Sequence, residues 1–174
     1  WGIFVAIWTT VVYFPVAHWV FAFGNKVGDV VTGTGFLAGK GIEDFAGGTA
    51  VHINAGAAGL ALAIVLGKRI GWRKDPMRPH SLPLVMLGAG LLWFGWFGFN
   101  AGSALSAGHL AATAMINTQI ATAAASITWM AYEKYRDGKA TTLGIASGAV
   151  AGAVAITPAC GYLNPFGALI LGLI

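Results

Sequence analysis

His52 is the residue whose type and setting most call for a chemical explanation. It stands seven positions inside an apolar run that opens near Ala46, about 10 Å deep at helical rise. An imidazole there can donate or accept a hydrogen bond or carry a proton. An ionisable group set at such depth faces a cavity or a partner. Gly48, Gly56 and Gly59 share its helical face and are expected to leave room beside the ring. The competing reading is a structural imidazole that ties its helix to a neighbour, and the residue alone leaves both open. His18, near the end of an earlier apolar run, reads equally well as an interfacial packing residue.

The second cluster is Trp93-Phe94-Gly95-Trp96-Phe97-Gly98-Phe99-Asn100-Ala101-Gly102-Ser103. Trp96, Phe99, Asn100 and Ser103 recur at i, i+3, i+4 and i+7, so they fall on one helical face. Aromatic π faces attract a small cation and a hydroxyl oxygen accepts its N–H. An aromatic belt at a membrane interface is the alternative, but a belt does not call for Asn and Ser on the same stripe. Asp44 precedes an apolar run, where its carboxylate fits a helix N-cap first and a lure for cations second. Thr157-Pro158-Ala159-Cys160-Gly161 reads as a helix stop and turn. No Cys/His pair at metal-ligand spacing, phosphate-cradling loop or Ser/His/Asp set emerges, so no catalytic residue, metal or cofactor is expected. A single cysteine excludes an internal disulfide framework.

The elements that position these residues follow from composition. Of 174 residues, 57% are hydrophobic and 9% charged, with a mean hydropathy of +0.73. Soluble domains carry about 25% charged residues, so lipid must solvate most of this surface. Ten Lys and Arg with a net charge of +4 are too few and too clustered for a nucleic-acid surface. A hydrocarbon core of about 30 Å needs roughly 20 apolar residues. The chain offers five such stretches, at 2–23, 46–66, 82–102, 112–132 and 141–159, and a truncated sixth from 165. They lack period-2 alternation, which favours helices over a barrel. Intramembrane glycines, such as Gly56 with Gly59, Gly88 with Gly90 and Gly148 with Gly152, are expected to let helices approach closely. The chain opens on Trp1 without an initiator Met and stops inside an apolar run, so 1–174 is expected to be one partial transmembrane domain.

Charge orients the loops. Lys68, Arg69, Arg73, Lys74 and Arg78 lie in the 67–81 connection, and Lys134, Arg136 and Lys139 in 133–140. These two connections fall on one side and hold eight of the ten basic residues. The other side sets Lys26 and Lys40 against Asp29, Glu43 and Asp44. The positive-inside rule makes 67–81 and 133–140 cytoplasmic.

At these same residues the chain resembles the ammonium transporter family (Amt, with its Mep and Rh relatives). Asp44-Phe-Ala-Gly-Gly-Thr-Ala-Val-His52-Ile-Asn54 is similar to the family stretch around the first pore histidine. Trp96-Phe-Gly-Phe99-Asn100-Ala-Gly-Ser103 is similar to the stretch holding a gate Phe and the recruitment-site Ser. Gly39–Glu43 before Asp44, Tyr13-x-Pro15-x-Ala17-His18 and Thr157-Pro158-Ala159-Cys160-Gly161-Tyr162 fit the same pattern. The resemblance implies an all-α polytopic fold of eleven helices in two inverted halves of five, assembled as a homotrimer in the plasma membrane. This chain would cover the fourth helix to the start of the ninth. It implies His52 as the first pore histidine, with Phe21, Trp96, Phe99 and Ser103 at the ammonium recruitment site and gate. Asp44, Asn100 and Thr157 would support the outer vestibule. The second pore histidine and the other gate Phe would lie outside the chain. Phe21 stands where the family usually has Trp, and Phe is the poorer cation–π partner.

The resemblance implies ammonium recruited at an outer aromatic site, stripped of a proton and conducted as ammonia. Carrying the bare cation through hydrocarbon would cost tens of kcal/mol. A PII-type regulatory protein is the cytoplasmic partner the resemblance suggests. Two other readings stand beside it. One is an ammonium sensor on the same fold; the other is a haem-binding membrane subunit with His52 and His18 as axial ligands.

Overall fold

The computed structural model describes residues 1–27, 30–32 and 34–174, and Asp29 of the charge count lies outside them. Six helices run through the described residues: α1 (Gly2–Phe21), α2 (Gly48–Leu66), α3 (Leu82–Gly102), α4 (His109–Asp137), α5 (Thr142–Ile156) and α6 (Pro165–Leu173). The first four are long and apolar enough to span a bilayer, and α5 is a shorter apolar helix. Four of the five full-length stretches expected fall on spanning helices; the fifth, 141–159, gives only the 15 residues of α5, because Pro158 has no N–H to continue the helix. The 112–132 segment is longer than expected, because Glu133, Lys134, Arg136 and Asp137 continue the helix past the apolar part. The Gly-rich 24–44 connection carries a short antiparallel pair, β1 (Asn25–Val27) with β2 (Val30–Thr32), in the register Asn25 to Thr32 and Val27 to Val30.

Local chemistry sets the helix starts. Ser81 accepts from the Leu84 N–H, Thr141 from Gly144 and Asn164 from Gly167, each satisfying an orphan donor of the first turn. Pro83 and Pro165 sit in first turns, where their missing N–H costs nothing. Proline acts differently at Pro15 inside α1. Its ring crowds the preceding turn and supplies no donor, and the backbone widens there into a π-helical turn over Thr9–Tyr13.

Burial is inverted relative to a water-soluble protein. Ile3, Ile64, Val65, Leu91 and Phe94 are exposed, whereas Asn100, Asn117, Thr118, Thr122 and Thr157 are fully buried. Lipid solvates apolar side chains as well as a core does, so polar groups go inside, where they find partners. α4 packs against α3, α5 and α6, and small side chains make the contact. A Cβ added at Gly152 would stand 2.6 Å from the Ala121 carbonyl oxygen and 2.6 Å from Ala125 Cβ. Gly148 meets α4 in the same way, at the Ala125 carbonyl oxygen and Trp129 Cβ. Gly56, Gly59, Gly88 and Gly90 do not: a Cβ at any of them would meet nothing within 4 Å. The 67–81 and 138–141 connections lie at one end of the bundle. The opposite end holds 22–47, 103–108 and 157–164, tied by Phe45 N–H donating to the Pro158 carbonyl (3.0 Å).

Candidate functional site

The site forms where the start of α2 meets the end of α5. Asp44 is buried and accepts four backbone hydrogen bonds. Gly47 and Gly48 N–H reach its Oδ1 (2.8 and 2.6 Å), and Thr49 and Ala50 reach Oδ2 (2.8 and 3.1 Å). One carboxylate thus satisfies the donors that a helix N-terminus leaves orphaned. Gly47 makes the bend at φ 100, a conformation that costs other residues strain. The first turn of α2, Gly48–Ile53, is π-helical: the His52 N–H reaches back five residues to the Gly47 carbonyl (3.2 Å). Such wide turns change the direction of the side chains they carry.

The room expected at Gly48 beside His52 is filled. A Cβ at Gly48 would come within 2.5 Å of the Pro158 ring. The Phe45 ring lies directly over Gly161 and meets Tyr162 edge-on at 5.5 Å. The motif around Asp44 and the motif after α5 therefore interlock, which neither stretch announces alone.

His52 emerges from this clamp into a ring stack. Its imidazole is near-parallel to Trp96 (centroids 5.3 Å, planes 21° apart) and to Phe99 (5.8 Å, 28°). Trp96 and Phe99, one turn apart on α3, lie 5.2 Å from each other. The Trp96 Nε1–H donates to Thr157 Oγ1 (2.9 Å), and the Thr157 hydroxyl donates to the Ala153 carbonyl (2.7 Å). The Ser103 hydroxyl donates to the Phe99 carbonyl (2.7 Å), which leaves its oxygen lone pairs as acceptors beside the stack.

The other singled-out residues divide. Asn100 is turned away from the stack and fully buried, its Nδ2 donating to Thr118 Oγ1 (2.9 Å) on α4. Its place on the Trp96 stripe thus serves helix packing. Thr157 touches Trp96 directly. The ring partner of Phe21 is Phe23, at 6.4 Å, and the rings stacked on His52 are those of Trp96 and Phe99, not His18. Asn117, which sequence reading passed over, donates to the Cys160 and Leu163 carbonyls (2.8 and 2.6 Å) and holds the turn after α5. Its signal was available: Asn117, Thr118, Thr122 and Ser126 crowd one apolar helix, where polar groups need a reason.

Among the described residues, four buried side-chain atoms lack a protein hydrogen-bond partner: His52 Nε2, Asn100 Oδ1, Asn117 Oδ1 and Thr122 Oγ1. His52 Nε2 is the one belonging to the ring stack. The arrangement can therefore offer a small guest aromatic surface and the buried His52 Nε2. No group of three or more His, Cys, Asp and Glu side chains gathers among the described residues to hold a metal ion.

Spanning helices with apolar side chains outward, polar ones inward and a histidine–aromatic stack at depth define a polytopic α-helical membrane protein. The chain belongs to the ammonium transporter family: the sequence model of the Ammonium Transporter Family matches residues 1–174. It is 61% identical over 173 residues to an ammonium transporter of Mycobacterium tuberculosis, covering 99% of this chain and 36% of the relative. To an ammonium transporter of Aquifex aeolicus it is 53% identical over 174 residues, covering 100% of this chain and 38% of the relative. The chain thus spans little more than a third of the length of these curated relatives. Its fold is similar to the crystal structure of Candida albicans Mep2, with a TM-score of 0.85 and 39% identity over 99% of this chain and 37% of that one. It is also similar to a structure described as a Sensor Amt Protein, with a TM-score of 0.82 and 32% identity over 97% of this chain and 42% of that one.

Proposed function

We propose that the protein carrying this chain transports ammonium, and that the His52–Trp96–Phe99 stack lines the path along which ammonia moves. The observation that carries the reading is the His52 ring, borne by the π-helical first turn of the spanning helix α2, stacked on two aromatic rings and with Nε2 free of any described protein partner. Aromatic faces can receive a cation at the mouth, but hydrocarbon cannot receive it bare without a cost of tens of kcal/mol. Transfer of a proton from ammonium to water at the outer mouth, before the apolar stretch, removes that cost. The imidazole then supplies hydrogen bonds along a path that is otherwise apolar. On this reading Ser103 and Phe99 take part in recruitment and gating, and Phe21 faces the outer site. The full protein works as a homotrimer in the plasma membrane with 67–81 and 133–140 on the cytoplasmic side, where a PII-type regulator docks. It is a transporter and not an enzyme.

The test is His52→Ala in the full-length protein, reconstituted in liposomes and followed by stopped-flow ammonia uptake. Flux per folded protein falls to near the lipid background while assembly is retained. Wild-type flux from well-folded His52→Ala would sink the reading and leave His52 a structural tie. A sensor on the same scaffold is the second reading, favoured by the likeness to the Sensor Amt Protein; it calls for ammonium binding with no flux in the wild type.

A further inference from the structure

We propose that Thr157 is a positioning residue for conduction, holding the Trp96 indole parallel to the His52 imidazole through a hydrogen bond in which the Thr157 hydroxyl can only accept. The proposal rests on the reading of the ring stack as the conduction path.

The acceptor role is forced by how α5 ends. Pro158 has no N–H, so it leaves the Val154 carbonyl without its usual donor four residues on. The Thr157 N–H turns to that carbonyl instead (3.3 Å). This in turn frees the Ala153 carbonyl, which the Thr157 hydroxyl takes at 2.7 Å. Thr is suited to this, because one of its helical rotamers points Oγ1 at the carbonyl four residues back. The hydroxyl has one proton and has spent it. Its lone pairs face the Trp96 Nε1–H at 2.9 Å, in a position with no exposure.

Two consequences follow for the stack. The indole is pinned at its polar edge, so its ring plane is fixed at 21° to the imidazole. Its N–H is also consumed, so Trp96 presents a π face and no donor toward His52. A guest passing His52 then meets the imidazole alone as a nitrogen partner and cannot be held a second time by the indole N–H. Without Thr157 Oγ1 the indole gains freedom to rotate and a free donor, and both disfavour passage.

The experiment uses the full-length protein in liposomes, with Thr157→Val, which keeps the shape and removes the acceptor, and Thr157→Ser, which keeps the hydroxyl. Ultraviolet resonance Raman of the indole N–H band, assigned by its loss in Trp96→Phe, reads the bond directly. Stopped-flow uptake per folded protein reads conduction. In Thr157→Val the Trp96 band moves to the unbonded position and flux falls roughly fivefold, the worth of one ordinary hydrogen bond. Thr157→Ser restores both. An unmoved band, or a moved band with unchanged flux, overturns the positioning role. Wild-type flux in Trp96→Phe also overturns it, whether or not Thr157→Val assembles. Absence of flux in the wild type instead brings down the conduction reading, while the Raman arm still decides whether the bond exists.

Discussion

Replacing Asp44 with Asn separates two jobs that one carboxylate could hold. The substitution keeps the shape and removes the charge. It also removes an acceptor, because an amide has one oxygen where the carboxylate has two. The structure divides four backbone donors evenly, Gly47 and Gly48 to Oδ1, Thr49 and Ala50 to Oδ2. Whichever way the amide turns, two N–H groups lose their acceptor and face an NH2. A buried donor left unsatisfied costs about 1–3 kcal/mol, so the pair costs about 2–6 kcal/mol. Loss of the charge at the helix N-terminus adds to this in the same direction. The measurement is equilibrium unfolding of the full-length protein in mixed micelles, with ammonia flux per folded protein on the same sample. We expect a stability loss in that range, with flux falling as the π turn that carries His52 loosens. If Asp44→Asn unfolds like the wild type and only raises the half-saturating ammonium concentration, the capping argument fails and Asp44 acts by attracting cations.

Two further outcomes test the orientation and the packing. With Cys introduced at Arg73 or Lys139 in the full-length protein, a membrane-impermeant maleimide labels only from the cytoplasmic side; labelling of intact cells from outside would reverse the assignment. The native thiol gives little background, because Cys160 in the turn after α5 is fully buried and burial pushes it up to about 12. Gly152→Ala should destabilise by about 1–3 kcal/mol, the usual cost of overpacking, since the new methyl meets the Ala121 carbonyl oxygen and Ala125 Cβ at 2.6 Å. Adding Ala125→Gly should recover part of that loss in the same unfolding assay, and a neutral Gly152→Ala would contradict the described α4–α5 contact.

The helices are legible in the sequence because the signal is local. Twenty apolar residues in a row declare a span, and Asp44 before such a run declares its cap. What stayed hidden depends on contacts between distant segments. The clash that makes Gly48 necessary comes from Pro158, 110 positions away by subtraction of the two residue numbers. The even 3.6 spacing also misplaced side chains on both sides of the site. The π turn over Gly48–Ile53 sets His52 in a register that an ideal helix does not have. On α3, Trp96, Phe99 and Asn100 share a stripe by count, yet Phe99 stacks on His52 while Asn100 is buried against Thr118. A stripe is wide enough to serve two neighbours at once.

The interlocked motifs also explain how irregular backbone persists beside the spanning helices. Non-helical backbone at membrane depth survives only when protein satisfies its polar groups. Asp44 takes the four donors at the start of α2, and the Pro158 carbonyl takes the Phe45 N–H. Asn117 covers the Cys160 and Leu163 carbonyls, and Thr157 covers Ala153. Each break in a helix is thus closed, locally by Asp44 and Thr157 and across elements by Asn117 and the Phe45–Pro158 bond, so the two motifs hold one another in register. The rings of His52 and Trp96 are held within that framework, His52 on the turn that Asp44 caps and Trp96 through its hydrogen bond to Thr157. A stack so placed can leave an imidazole nitrogen without a protein partner at depth, a position that would be too costly to keep on a helix free to rotate and bury it.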